Sequence, residues 1–242
     1  MALGDIMRTQ HACRYFRPDP IPDDLLYRAL EMARFAPNGG NRNPVRLVLV
    51  RDPVKRRGLG ALYLPLWREV TAAVASGEPA MTTASGHRKS TQLGFSNPAK
   101  ALADGDHFAE HFGEHPLIVV VCVDISETHP TDTELGRPSI VGGASVYPMA
   151  QNLCLALRAE GVATSFTTLL VAAEPAVKEL LDIPEQFSTA CHIVAGYPAQ
   201  PFPTRLRRAA VDEIAFAESF GGPLRARREC SESRGGSADG AV

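Results

Sequence analysis

Three polar clusters hold the side chains that could do chemistry: Arg8 to Arg14 (RTQHACR), Asn38 to Asn43 (NGGNRN) and Arg205 to Arg208 (RLRR). They offer cations, amides and glycine-rich backbone, and their composition places them at turns rather than on helix faces. The chain has no Walker A sequence, no GxGxxG after a strand, no GxSxG elbow and no HExxH. That removes the commonest nucleotide, hydrolase and zincin chemistries. Taken singly, each cluster has an ordinary reading. Arg205, Arg207 and Arg208 read as a solvated cationic face, Asn38-Gly39-Gly40-Asn41 as a helix end and turn, and His11 as a surface or satisfied histidine.

The composition bounds the rest. A chain of 242 residues with 45% hydrophobic content is long enough to bury a real core. Its 25 Lys and Arg nearly balance 27 Asp and Glu, so no global basic field exists to hold nucleic acid or an anionic membrane. The longest strongly apolar run, Leu117 to Val123, is far short of the roughly 20 residues of a membrane helix. Met1 to Gln10 lacks a hydrophobic signal core, which gives a cytoplasmic expectation. Five scattered cysteines, with no CxxC and no Cys/His pair at zinc spacing, indicate neither a disulfide framework nor a structural metal.

The elements that must position the clusters follow from periodicity and punctuation. Asp23-Asp24 opens a helix whose apolar stripe (Leu25, Leu26, Ala29, Leu30, Ala33, Ala36) carries it to about Ala36, where Pro37 stops it. Val45 to Val50 is a β-branched strand closed by Asp52-Pro53, with a helix or two to follow. From Ser76 to Asp106 the chain is polar, rich in small residues and weakly periodic, the pattern of a lid or insertion. The continuous apolar run Leu117 to Asp124 predicts a strand covered on both faces and central in its sheet. A helix from about Gly142 to Glu160 ends at Gly161, with Pro148 in its early turns. Thr164 to Leu170 reads as a loop or short extended piece, Pro175 to Leu181 as a helix and Thr189 to Gly196 as a strand. The last stretch, from about Arg227, has almost no large apolar residues and reads as a disordered tail after a domain of residues 1–226.

Together the clusters and elements resemble the FMN-dependent nitroreductase family. The resemblance is carried by Arg8-Thr9-Gln10-His11-Ala12-Cys13-Arg14-Tyr15-Phe16, by Pro18 to Leu26, and by Ala36-Pro37-Asn38-Gly39-Gly40-Asn41-Arg42-Asn43-Pro44. It continues through Gln151-Asn152-Leu153 with Leu155-Ala156, and through Leu180-Leu181-Asp182-Ile183-Pro184 to Gly196-Tyr197-Pro198. No single motif is diagnostic; the ordered set spans about residues 5 to 212. The resemblance implies an α+β fold, a central, mostly antiparallel sheet flanked by helices, in an intertwined homodimer with two FMN sites at the subunit interface. It also implies ping-pong chemistry. NADH or NADPH reduces the flavin, leaves, and a small-molecule electron acceptor such as a nitroaromatic or quinone is reduced in the same pocket.

The resemblance assigns roles residue by residue. Arg207 and Arg205 match the carboxyl-terminal stretch that holds the flavin phosphate, a dianion suited to bidentate cations. Arg14 matches the cation at flavin N1 and O2, where negative charge collects on reduction. Asn38, Gly39, Gly40 and Asn41 would come to the ring from the second subunit, with Asn43 at the pyrimidine edge. Thr167 and Thr168 match the segment lying along the flavin near N5. The first phosphate motif, commonly two basic residues and a serine in the family, is Gln10-His11-Ala12 here, with Arg8 one turn earlier. No catalytic side chain is assigned, because the cofactor carries the chemistry. The 76–106 segment, with His87, Arg88, Lys89 and Phe95, is the expected determinant of acceptor choice. Two alternatives stand beside this reading: a specialised family member (reductive dehalogenase, flavin-fragmenting enzyme or natural-product dehydrogenase), and a non-enzymatic flavin-binding or storage protein.

Overall fold

The computed structural model describes residues 1–76 and 97–224. The chain divides into a unit of residues 1–206 and a second unit from Arg207 onward. In the first, four strands form one antiparallel sheet: β1 (Val45–Val50), β2 (Leu117–Asp124), β3 (Ala163–Thr167) and β4 (Phe187–Gly196), in the order β1-β2-β4-β3. Around it lie α1 (Leu3–Thr9), α2 (Asp23–Ala33), α3 (Pro53–Ser76), α4 (Pro98–Glu110), α5 (Tyr147–Ala159) and α6 (Glu174–Leu181). The α+β architecture implied by the resemblance is present, with a fully antiparallel sheet.

β2 is interior, as its apolar run predicts, and the strand period of two sorts its side chains into two layers. Leu117, Val119, Val121 and Val123 enter the core beneath α2 and α5; Ile118, Val120 and Cys122 enter the core built with α3, α4 and α6. Helices on both faces leave these seven residues buried.

Several boundaries differ from the sequence reading, each for a local reason. α2 ends at Ala33, not Ala36, because Pro37 has no N–H to donate to the Ala33 carbonyl. One helix, α3, fills the space after β1, with Pro65 inside it. The supposed insertion 76–106 runs into a regular helix from Pro98. The Asn97 side chain accepts from the Lys100 N–H and Pro98 occupies the first turn, a start signal that outweighs weak periodicity. Residues 77–96 of that stretch lie outside the described residues, as does the predicted tail from 227. The long helix before Gly161 begins at Tyr147, with Val141–Gly143 forming a separate short turn ahead of it. Thr164 to Thr167 belongs to an edge strand, β3, paired with β4.

β3 is extended on its free side by the amino-terminal segment. Ala12 bridges Thr164, and the Cys13 N–H donates to the Thr164 carbonyl at 2.9 Å. Close approach of α3 to the 112–114 turn requires Gly60, where a Cβ would meet the Gly113 nitrogen at 2.9 Å. The second unit, described by itself, holds a short helix, Val211–Ile214, and a turn closed by the Ala217 N–H on the Gly222 carbonyl at 3.0 Å.

Candidate functional site

Backbone pairing of residues 12 and 13 with Thr164 fixes the alternation of the amino-terminal segment. Gln10 and Arg14 then reach β3: the Gln10 Nε2 donates to Thr164 Oγ1 at 3.1 Å, and the Arg14 Nη1 to Ser165 Oγ at 2.5 Å. His11 lies against Phe202 with ring centroids 5.8 Å apart, and its buried Nδ1 has no partner among the described residues. Burial lowers its pKa, with the Arg158 and Arg14 charges acting in the same direction. The Arg8 carbonyl accepts from the Leu206 N–H at 2.9 Å, which brings exposed Arg205 back to the start of the chain.

Arg14 opens into a cavity of about 700 Å³, within the range of small-ligand sites. One wall is the β3 exit, Ser165 to Thr168; the other is aromatic, built from Tyr63, Trp67 and Phe108. Tyr63 and Trp67 share a face of α3 because they are four residues apart. Trp67 is fixed by its Nε1–H, which donates to Asp106 Oδ1 at 2.7 Å. Gly105 leaves room for the indole, since a Cβ there would overlap the ring. Tyr63 stacks on Phe112 at 4.1 Å.

The Arg14 guanidinium lies 5.1 Å from the Phe108 ring centroid, and no carboxylate lies within ion-pair distance of it among the described residues. Burial pulls its pKa below the ordinary value, opposed by Tyr63, Cys13 and Asp104, yet a guanidinium stays charged under any such pull. It is a fixed, half-buried cation facing open space. Burial pushes the Tyr63 phenol up, so its hydroxyl is a proton-bearing donor at neutral pH. Small polar residues, aromatic rings and a cation lining one cavity suit an aromatic ligand that carries negative charge.

Asn38 to Asn43 sits elsewhere. The Asn43 N–H donates to Asn38 Oδ1 at 2.8 Å and the Gly39 N–H to Ser145 Oγ at 2.9 Å. Gly40, Asn41 and Asn43 take positive φ of 61°, 52° and 54°, a conformation glycine and asparagine tolerate. Asn38 and Asn43 border a separate cavity of about 170 Å³, so within one chain this loop does not line the larger one. Thr167 and Thr168 do line the larger cavity; Arg207 belongs to the second unit. The sequence reading missed Tyr63, Trp67 and Phe108, whose helical spacing resembles ordinary core. It named the stretch containing Ser165 without singling that residue out.

The chain spans 24% of the NADH dehydrogenase of Thermus thermophilus, to which it is 44% identical over 50 residues, or 21% of its own length. It is 27% identical to the 5,6-dimethylbenzimidazole synthase of Rhodospirillum rubrum over 204 residues, 83% of this chain and 84% of that protein. In three dimensions it resembles the structure of a nitroreductase with bound FMN from Desulfitobacterium hafniense DCB-2. There the TM-score is 0.60 at 19% identity, covering 90% of this chain and 100% of the other. Residues 7–197 match the description "Nitroreductase family", a span that takes in both walls of the cavity and the whole sheet. With the match running from the arginine-bearing amino-terminal segment to the end of β4, the chain belongs to the nitroreductase family.

Proposed function

We propose that the chain is an FMN-dependent oxidoreductase that uses NADH or NADPH to reduce a nitroaromatic, quinone or similar electron-poor small molecule. The observation that carries this reading is the Arg14 cation, free of any carboxylate among the described residues, in a cavity also lined by Ser165 to Thr168. Bound FMN would supply two-electron chemistry between nicotinamide and acceptor. This chain's own residues would orient it and set its charge preference. Arg14 would face the pyrimidine edge, Thr167 and Thr168 would line the reactive edge, and the aromatic wall would limit water around the acceptor. Arg205 and Arg207, with Arg8, Gln10, His11 and Ala12 as the first motif, are proposed for the phosphate end.

A homodimer completes the proposal. The Asn38 to Asn43 loop, outside its own chain's large cavity, would serve the partner's site, which is the role the family resemblance gives it. Titration with FMN followed by desalting tests the cofactor reading. Retained, near-stoichiometric oxidised flavin supports it, and loss of all flavin contradicts it.

A second reading is a specialised member acting on a single substrate, favoured by the match along most of a 5,6-dimethylbenzimidazole synthase. Incubating the protein with reduced FMN in air and assaying for 5,6-dimethylbenzimidazole separates the two. Formation of that product supports the specialist reading, and its absence with turnover of a quinone supports the reductase.

A further inference from the structure

Tyr63 lines the cavity as part of its aromatic wall, and its hydroxyl is a further group that the proposed roles leave unused. The residue is 3% exposed, and its ring is locked by stacking on Phe112 at 4.1 Å and by an edge contact with Phe108 at 5.9 Å. Among the described residues its hydroxyl has one hydrogen-bond partner, Thr167 Oγ1, at 3.5 Å, well beyond the 2.7–2.8 Å usual for a hydroxyl bond. Thr167 Oγ1 is already engaged by the Leu169 N–H at 3.3 Å. A buried phenol with so weak a partner costs free energy unless something else accepts its proton. The Arg14 guanidinium lines the same cavity and acts electrostatically on the phenol, so an acceptor of the Tyr63 proton that carries negative charge would also be favoured by Arg14.

We propose that the Tyr63 hydroxyl is a second donor, beside Arg14, to the edge of the bound flavin that becomes negatively charged on reduction. The assignment rests on the FMN reading above. It has a differential consequence, because hydrogen bonds to charged acceptors are stronger than those to neutral ones. Tyr63 therefore favours the reduced cofactor over the oxidised one, and burial favours the proton-bearing phenol, against the opposing pulls of Thr167 and Arg14.

The test is direct binding to the full chain, read without turnover. Oxidised FMN and anaerobically reduced FMN are each titrated into the parent and into Tyr63→Phe, which keeps the stacked ring and deletes only the oxygen. Affinity for reduced FMN should fall about tenfold or more, and that for oxidised FMN about threefold. Riboflavin, lacking the phosphate, should show the same split. Should Tyr63→Phe not fold, 3-fluorotyrosine at position 63, titrated at pH 6 so that the phenol keeps its proton, provides a stronger donor of nearly the same shape and should move the ratio the opposite way. An equal change in both redox forms, or none, overturns the assignment of Tyr63 while leaving the cofactor reading intact. Failure of the unsubstituted chain to bind FMN overturns both.

Discussion

The Arg14 guanidinium donates to the Ser165 hydroxyl at 2.5 Å, across 151 residues of sequence. That bond, with the adjoining backbone bridge of Ala12 to Thr164, lays the amino-terminal segment along the free edge of β3. The cavity's cation and its polar wall are thereby one assembly: a change in either strand moves both.

Replacing Arg14 by Ala should weaken FMN binding by about one to two orders of magnitude, the usual loss for a charge-assisted hydrogen bond. Because the bond to Ser165 is also lost, Ser165→Ala separates the two contributions. It should leave the cation in place and cost FMN less than tenfold, because the charge that meets the flavin remains. Fluorescence quenching of FMN measures both variants, and equal losses would show that the hydroxyl, not the charge, dominates.

Gly105 is expected to be intolerant. A methyl group there overlaps the Trp67 indole, which is held in place by Asp106. Gly105→Ala should destabilise the protein by about 1–3 kcal/mol through overpacking, and should displace the aromatic wall. Urea denaturation measures the first effect. Trp67 is the chain's single tryptophan, so its emission reports the second.

Two buried histidines give stability a pH dependence. Burial lowers His115 to about 4, with the neighbouring charges of His111 and His107 acting in the same direction. Burial alone lowers His192 to about 4. Both folded values lie below the ordinary 6.5, so between about 4 and 6.5 the unfolded chain binds more protons than the folded one. Stability should be fully present above pH 6.5 and fall as pH drops toward 4, with these two sites adding up to two protons to the slope. His192→Leu removes one of them and two unpartnered ring nitrogens. It should raise the urea midpoint at pH 5 relative to the parent by more than at pH 7.5; an equal effect at the two pH values would contradict the assignment.

The phosphate proposal separates two arginines near the carboxyl end. Arg207→Ala should reduce FMN retention on desalting, whereas Arg227→Ala, in the sequence read as a tail, should leave it unchanged. Equal retention by the two variants would remove Arg207 from the site.

Legibility followed the strength of local constraint. β2 could be read outright because a strand buried on both faces admits only apolar residues from Leu117 to Val123. α4 could not, because its sequence of small and polar residues has little stripe, and its cap at Asn97-Pro98 carries the signal instead. In the site, Arg14, Thr167 and Thr168 were reached through the ordered resemblance. Tyr63 and Trp67 were not, since aromatic residues four apart on a helix look the same whether they face a core or a cavity. Ser165 meets Arg14 only once Ala12 pairs with Thr164, a contact between distant segments that no local pattern encodes.

Electron transfer from nicotinamide through FMN bound to this chain is tested by one anaerobic visible spectrum. Protein loaded with FMN and desalted receives NADH, then NADPH, then a quinone. Oxidised-flavin bands should bleach with at least one nicotinamide and return with the quinone. Bands that persist through both nicotinamides would contradict the reductase and leave a flavin-binding protein; absence of any bands would contradict the cofactor itself.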